Sequence, residues 1–299
     1  MKKIGLLGMV LAIATLSGCY YSGRCVNGSG PVTGELREVG NFTGVTNTGS
    51  FDVYVSQSDD FSVEVIAQEN LIPIIATYVS GNTLVIETEN NACFKSSSPI
   101  EVHVSMPEIE ELSLVGSGKV FGDMLISTEV EISNSGSGIM DIDSLICESL
   151  EVSNGGSGYI GILGSYAEYV DVIQSGSGEI ECGTLMETAE VNIRHSSSGR
   201  VVAFVPDGIN MDADMSGSGQ IVLSGEVELA DYSHNSSGRT DALDLFALEV
   251  EATNTGSGNV YVWANDYLDA TVTGSGDIIY LGNPVLSIQI SGSGKVRSY

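Results

Sequence analysis

The chain has 299 residues, of which 39 are acidic and 11 basic, for a formal net charge of −28. That excess excludes nucleic acid as a partner and excludes an electrostatic grip on anionic lipid. Disorder is excluded too, because 42% of the residues are apolar and they recur with a regular period.

Lys2 and Lys3 precede an apolar stretch, residues 4–16, that is too short to span a bilayer. Leu16-Ser17-Gly18-Cys19 follows, with small residues ahead of a cysteine. The segment resembles a bacterial lipoprotein signal peptide with its lipobox. The resemblance implies cleavage after residue 18, a lipid on Cys19, and a mature chain tethered to the membrane by its N-terminus. An ordinary secretory peptide with a chance cysteine is the other reading. Tyr20 stands where an Asp would signal inner-membrane retention, which favours the outer membrane; periplasmic and surface-facing orientations both stay open. Residues 19–34 read as a linker. Four further cysteines, Cys25, Cys93, Cys147 and Cys182, match no zinc or haem spacing. An oxidising compartment allows a Cys25–Cys93 bridge, and buried free thiols are expected at Cys147 and Cys182.

Residues 35–106 alternate as strands, with a helix-compatible patch at 70–79 and a turn at Ser80-Gly81-Asn82. His103, in IEVHVSM, is a strand residue with no evident partner.

From residue 107 onward the chain is a repeat. Gly-Ser-Gly or a degenerate Ser-Ser-Gly ends at Gly118, Gly138, Gly158, Gly178, Gly199, Gly219, Gly238, Gly258, Gly276 and Gly294, at spacings of 18 to 21 residues. With that last glycine as position 0, position +2 is apolar in every copy but one, where Thr240 stands. Position −6 (Ile132, Val152, Val172 and their equivalents) is apolar throughout, and position −8 is apolar except at Glu110. Apolar residues two apart on each side of a glycine corner predict strands with one buried face. A period near 20 with no helix-length segment predicts an all-β solenoid, a parallel β-helix of about ten coils. A propeller blade needs about twice that length. The glycines are expected to supply positive φ at a sharp corner, and the invariant serine at −1 to bond backbone there. A phosphate cradle is the alternative, but it needs a helix after the glycines, and here a strand follows.

Position −4 should point inward, yet it reads Leu114, Asn134, Asn154, Gln174, His195, Met215, His234, Asn254, Val272 and Ile290. Stacked amides are expected to bond one another up the column and to cap the corner backbone. His195 and His234 thereby fall in structural slots rather than catalytic or metal-binding ones.

Position −7 carries the most distinctive outward pattern: Glu111, Glu131, Glu151, Asp171, Asn192, Asp212, Asp231, Glu251, Asp269 and Ser287. Eight carboxylates in ten copies should stand in one column about 4.8 Å apart. Neighbouring charges at that spacing repel by about 0.9 kcal/mol even in water. The column is either a solvated face that keeps the chain soluble or a weak stripe for divalent cations or a cationic partner. Oxygen ligands would favour weak Ca2+ binding, though no site has the six or more ligands of a tight cage.

The strand SFDVYVSQ, the segment ENLIPIIATYVSGNTLVIE and the recurrent Gly-Ser-Gly-x-apolar corners together resemble the bacterial family called putative auto-transporter adhesin, head GIN domain. The resemblance spans about residues 35–299. It implies a right-handed parallel β-helix with decorated first coils and no established enzymatic activity. An auto-transporter would also need a C-terminal membrane barrel, so anchoring is expected through Cys19 instead. The expected role is a rigid envelope rod that binds a glycan or protein ligand. A structural component without ligand is the alternative, and a polysaccharide-active β-helix enzyme a remoter one. The last strand, in GSGKVRSY, should offer free backbone groups for end-to-end self-association, with Lys295 and Arg297 as charge gatekeepers against it.

Overall fold

The computed structural model describes residues 25–299; the expected leader and the expected lipidation site at Cys19 lie outside them. The described chain is all-β, and its repeats stack as a parallel solenoid in which ten corners bound about nine turns. Each turn hydrogen-bonds to the next in register. Glu131 pairs with Glu151, Ile132 with Val152 and Asn134 with Asn154 before the corner, and Met140 pairs with Ile160 after it. The ladder continues through the corner itself, where Ser157 N–H donates to Gly136 O (3.0 Å) and Tyr159 N–H to Gly138 O (3.0 Å).

The corner glycines are needed for a different reason than the one expected. None of them has positive φ; the glycines that do are Gly30, Gly81, Gly225 and Gly282. The constraint is space along the rod. A Cβ on Gly136 would lie 1.9 Å from Gly116 O, and one on Gly158 would lie 2.2 Å from Gly138 O. At these glycine corners the backbone of the neighbouring turn leaves no room for a side chain; Ser197, whose hydroxyl bonds Gly176 O of the preceding turn, and Ser236 are the exceptions at −2.

Positions −8, −6 and +2 form the core. Leu150, Val152 and Ile160 are fully buried, as are their equivalents along most of the stack. Glu110, the polar exception at −8, is exposed and Ile109 is buried in its stead. Thr240, the polar exception at +2, is buried with its hydroxyl 3.1 Å from His234 Nδ1. In the last turn the inward columns open to solvent: Leu286, Ile288 and Ile290 are exposed, whereas their partners Leu268, Ala270 and Val272 are buried.

The −4 column caps the corner of its own turn, and its amides do not bond one another. Asn154 Oδ1 accepts from Gly156 N–H (3.1 Å), and its Nδ2 donates to Gly158 O (2.9 Å). Asn134 and Asn254 repeat both bonds. His195 reproduces them with its ring, accepting from Ser197 N–H at Nδ1 (3.3 Å) and donating from Nε2 to Gly199 O (2.8 Å). Both histidines are buried, as the inward slot requires.

The N-terminal third builds two more turns and a cap. Gly44–Asn47 and Asp52–Gln57 flank a corner of the same kind, in which Asn47 bonds Gly49 N–H (3.0 Å) and Phe51 O (2.9 Å). The repeat therefore begins one corner earlier than its glycines announce, with the buried Phe51 at position 0. This turn lies between the strands Glu111–Leu114 and Lys119–Ile126 on one side and Thr83–Thr88 and Glu101–Met106 on the other. The chain thus enters at the second turn, moves outward to form the first, and returns for the third. Beyond the first turn the pairing becomes antiparallel, through Ser62–Gln68, Val32–Leu36 and Ile75–Ser80. The helix-compatible patch is a short 3-10 turn, Ile72–Ile74, with Pro73 inside it, followed by the strand Ile75–Ser80. Its branched residues suit a strand better than a helix. Cys25 and Cys93 form a disulfide and bring Val26–Asn27 alongside Phe94–Lys95. Residues 25–36, most of them expected to be linker, thus belong to the cap. Cys182 is buried and Cys147 half-buried, both as free thiols.

The corner geometry separates two adjacent glycines. Gly156→Ala should cost about 1–3 kcal/mol, since backbone rather than a movable side chain meets the new methyl. Gly155→Ala should be neutral to slightly stabilising, because its Cβ would meet only Ser175 Oγ, at 3.6 Å. Thermal unfolding of the two variants distinguishes close approach from a general need for flexibility. In the core, Ile132→Asp should be severe, at least about 4 kcal/mol, because it buries an unpaired charge.

Burial pushes His195 and His234 below their ordinary value of 6.5. A depressed histidine favours folding while neutral, so its contribution is complete above that value and is lost as pH falls below it. Equilibrium unfolding between about pH 7 and 5 should show this loss, and His195→Asn should reduce it, because an amide supplies both bonds without titrating.

Candidate functional site

The parallel register turns every outward offset into a column, and three columns carry polar or aromatic chemistry. At −7 the strands place Glu111, Glu131, Glu151 and Asp171 directly over one another, and likewise Asp212, Asp231, Glu251 and Asp269. Asn192 separates the two runs, and Arg194 lies 3.5 Å from Asp171 at the break. Burial first, and neighbouring carboxylates second, raise three of these carboxyls. Glu131 is raised above the ordinary range by burial and then by Glu151 and Glu111. Asp212 is raised by burial, Glu190 and Asp214, and Asp231 by burial, Glu251 and Asp212.

The second run borders a groove of about 440 Å³, in which Glu190 and Glu249 join Asp212, Asp231, Glu251 and Asp269 beside Leu229 and Tyr267. Glu190 and Glu249 occupy position −9, the next outward offset along the same strand. Alternation alone would have placed them on this face. Among the described residues no group of three or more His, Cys, Asp or Glu is placed to hold a metal ion. The column is suited to diffuse cation attraction or to a basic surface, not to a coordination cage.

Along the corners, a groove of about 820 Å³ is floored by the serines and glycines and edged by Tyr159, Glu179, Arg200 and Arg239. Its two arginines are already paired, Arg200 with Glu179 and Arg239 with Asp241.

The third column, at +3, was not recognised from sequence. His103 is not solitary: its ring stacks on Tyr54 (centroids 4.8 Å apart), and Tyr54 stacks on Phe121 (5.0 Å). His103 Nε2 also lies 3.2 Å from Glu101. The out-of-order turn creates this stack by inserting Tyr54 between His103 and Phe121.

The family described as "Putative auto-transporter adhesin, head GIN domain" matches residues 41–211 and 206–284. No protein of curated function matches the chain. Among solved structures, a "putative adhesin" from Parabacteroides distasonis is 22% identical, covering 92% of this chain and 100% of its own at a TM-score of 0.54. One from Parabacteroides merdae is 18% identical, with coverage of 93% and 100% and a TM-score of 0.54. A "putative lipid binding protein" from Parabacteroides distasonis is 25% identical, with coverage of 92% and 100% and a TM-score of 0.53. The family match spans most of the described solenoid, and the chain belongs to the head GIN domain family of putative auto-transporter adhesins.

Proposed function

We propose that this chain is a non-enzymatic binding protein of the cell envelope, tethered to the outer membrane through Cys19, whose acidic face receives a cationic partner. The carboxylate column carries the reading. Two runs of four acidic side chains are held in register by rigid strands, and Glu131, Asp212 and Asp231 have raised pKa values. A fixed line of like charges costs free energy that cations or a basic surface recover on binding. The names borne by the family and by solved relatives, adhesin and lipid binding protein, are consistent with a binding role.

A second reading, an apolar ligand, has one observation in its favour. Ile126, Ile146 and Tyr166 form an outward column over three consecutive turns, and all three are exposed.

The column is tested by thermal unfolding with and without millimolar Ca2+ at matched ionic strength. The midpoint of the wild-type protein should rise by a few degrees, the scale of about 1 kcal/mol in a chain of this size. Glu131→Gln/Glu151→Gln should lose a large part of that rise. A midpoint that stays fixed, or that rises equally in the variant, reduces the column to a solvated face. The tether has its own test: Cys19→Ala should move the protein from the membrane to the soluble fraction.

A further inference from the structure

The +3 column ends in a feature that the acidic face does not explain. Tyr54 covers one face of the Phe121 ring. On the side of the following turns, Phe121 borders a cleft of about 420 Å³, together with Asp141, Asp143, Tyr159 and Glu181. Tyr159 reaches into that cleft because the residue beneath it is glycine. A Cβ on Gly161 would lie 2.6 Å from Tyr159 Oη, and the hydroxyl is fixed by donating to Glu181 Oε2 at 2.9 Å.

The same protein shows what such a pairing of ring and carboxylate holds. Phe121 and Asp141 are register partners in the +3 column, and so, farther along, are Asp241 and Tyr261, in the opposite order. There Arg239, at +1 beside the aspartate, lays its guanidinium 4.0 Å from the Tyr261 ring centre while bonding Asp241 Oδ2 through Nη2 (2.6 Å) and Nε (3.2 Å). At the Phe121–Asp141 pair, the residue at +1 beside the aspartate is Ile139, which cannot do this. Lys119 is drawn toward the same ring, with its ammonium 5.8 Å from the centroid, but it carries no planar fork for stacking and bidentate bonding together.

We propose that the Phe121–Asp141 cleft binds the guanidinium of an arginine side chain presented by a partner protein, in the arrangement that Arg239 makes within the chain. The flat cation lies on the face of Phe121 away from Tyr54, displacing the Lys119 ammonium from the ring, Asp141 accepts its N–H groups, and Tyr159 closes the opposite wall. This site lies on the other side of the corner from the −7 column, so it stands or falls independently of the acidic face.

The probe is Nα-acetyl-arginine methylamide, with the citrulline analogue as its neutral isostere, followed by ligand-observed NMR on the folded chain at physiological ionic strength. The arginine probe should bind, and the citrulline probe should bind several-fold more weakly. Phe121→Ala should weaken the arginine probe about two- to fivefold, as should Phe121→Leu, which keeps apolar packing but removes the ring. Glu131→Gln/Glu151→Gln should leave it unchanged. Ile139→Arg should supply the guanidinium from within the chain and abolish binding of the probe. Binding that is equal for citrulline, indifferent to Phe121→Leu, or retained in Ile139→Arg overturns the assignment.

Discussion

The constraint on which the rest of the structure depends is the absence of room between successive corners. A Cβ placed on Gly136, Gly156 or Gly176 would fall 1.9 Å from the carbonyl oxygen of the preceding turn. The backbone ladder sets the pitch of the rod at the spacing of a parallel sheet, and at that pitch glycine is what fits at most corners, with Ser197 and Ser236 the exceptions at −2. Once the pitch is fixed, residues at one offset stand over one another turn after turn, and a preference at one position becomes a column. The core columns at −8, −6 and +2 gain stability this way, since no single turn could bury its apolar face alone. The carboxylates at −7 pay for the same geometry, because the register that aligns Val152 over Ile132 also aligns Glu151 over Glu131.

The −4 slot shows how closely the corner dictates chemistry. The backbone there presents one N–H, at −2, and one carbonyl, at 0, to a side chain rooted in the core. Asparagine meets both, and so does the His195 ring. Glutamine is one methylene too long. Gln174 Nε2 donates to Gly176 O and Gly178 O, both at 2.9 Å, while its buried Oε1 finds no partner. The two degenerate corners are the two with histidine at −4, and in each a serine replaces the glycine at −2. Ser197 supplies its N–H to His195, and Ser236 brings its hydroxyl within 3.1 Å of His234 Nε2. The altered motif and the altered slot are one adjustment.

The solenoid, its inward columns and its acidic column were legible in the sequence because each rests on a period, and a period survives without coordinates. The role of the glycines was not legible, because a residue without a side chain suits a positive φ and a close approach equally well. The first corner was hidden by Phe51, which occupies the glycine position, although Asn47, Gly49 and Ser50 keep the rest of the pattern. The order of the first turns and the antiparallel cap were not legible either. They depend on which strand edge each segment finds, and nothing periodic records that choice. Arg239 had a readable partner in Asp241 two residues away, whereas its stacking on Tyr261 required knowing that one turn lies over the next.

The crossover of the first turns also determines what backs Phe121. In simple chain order, His103 would follow Tyr54 and stand directly behind the Phe121 ring. With the turn of Tyr54 inserted between them, a phenol covers that face, and the imidazole is displaced to the far end of the stack beside Glu101. The difference is electrostatic. A ring face attracts a cation through its quadrupole, and an imidazolium pressed against the opposite face would oppose that attraction whenever it carried a proton. The Tyr54 phenol imposes no such charge near neutral pH, since burial and then Glu101 and Asp52 raise it above its ordinary value of 10.0. The exchanged order of two turns, which has no counterpart in the periodic signal, therefore keeps an imidazole away from the back of Phe121, whose neighbouring charges are the Lys119 ammonium and Asp141 from the turn that follows.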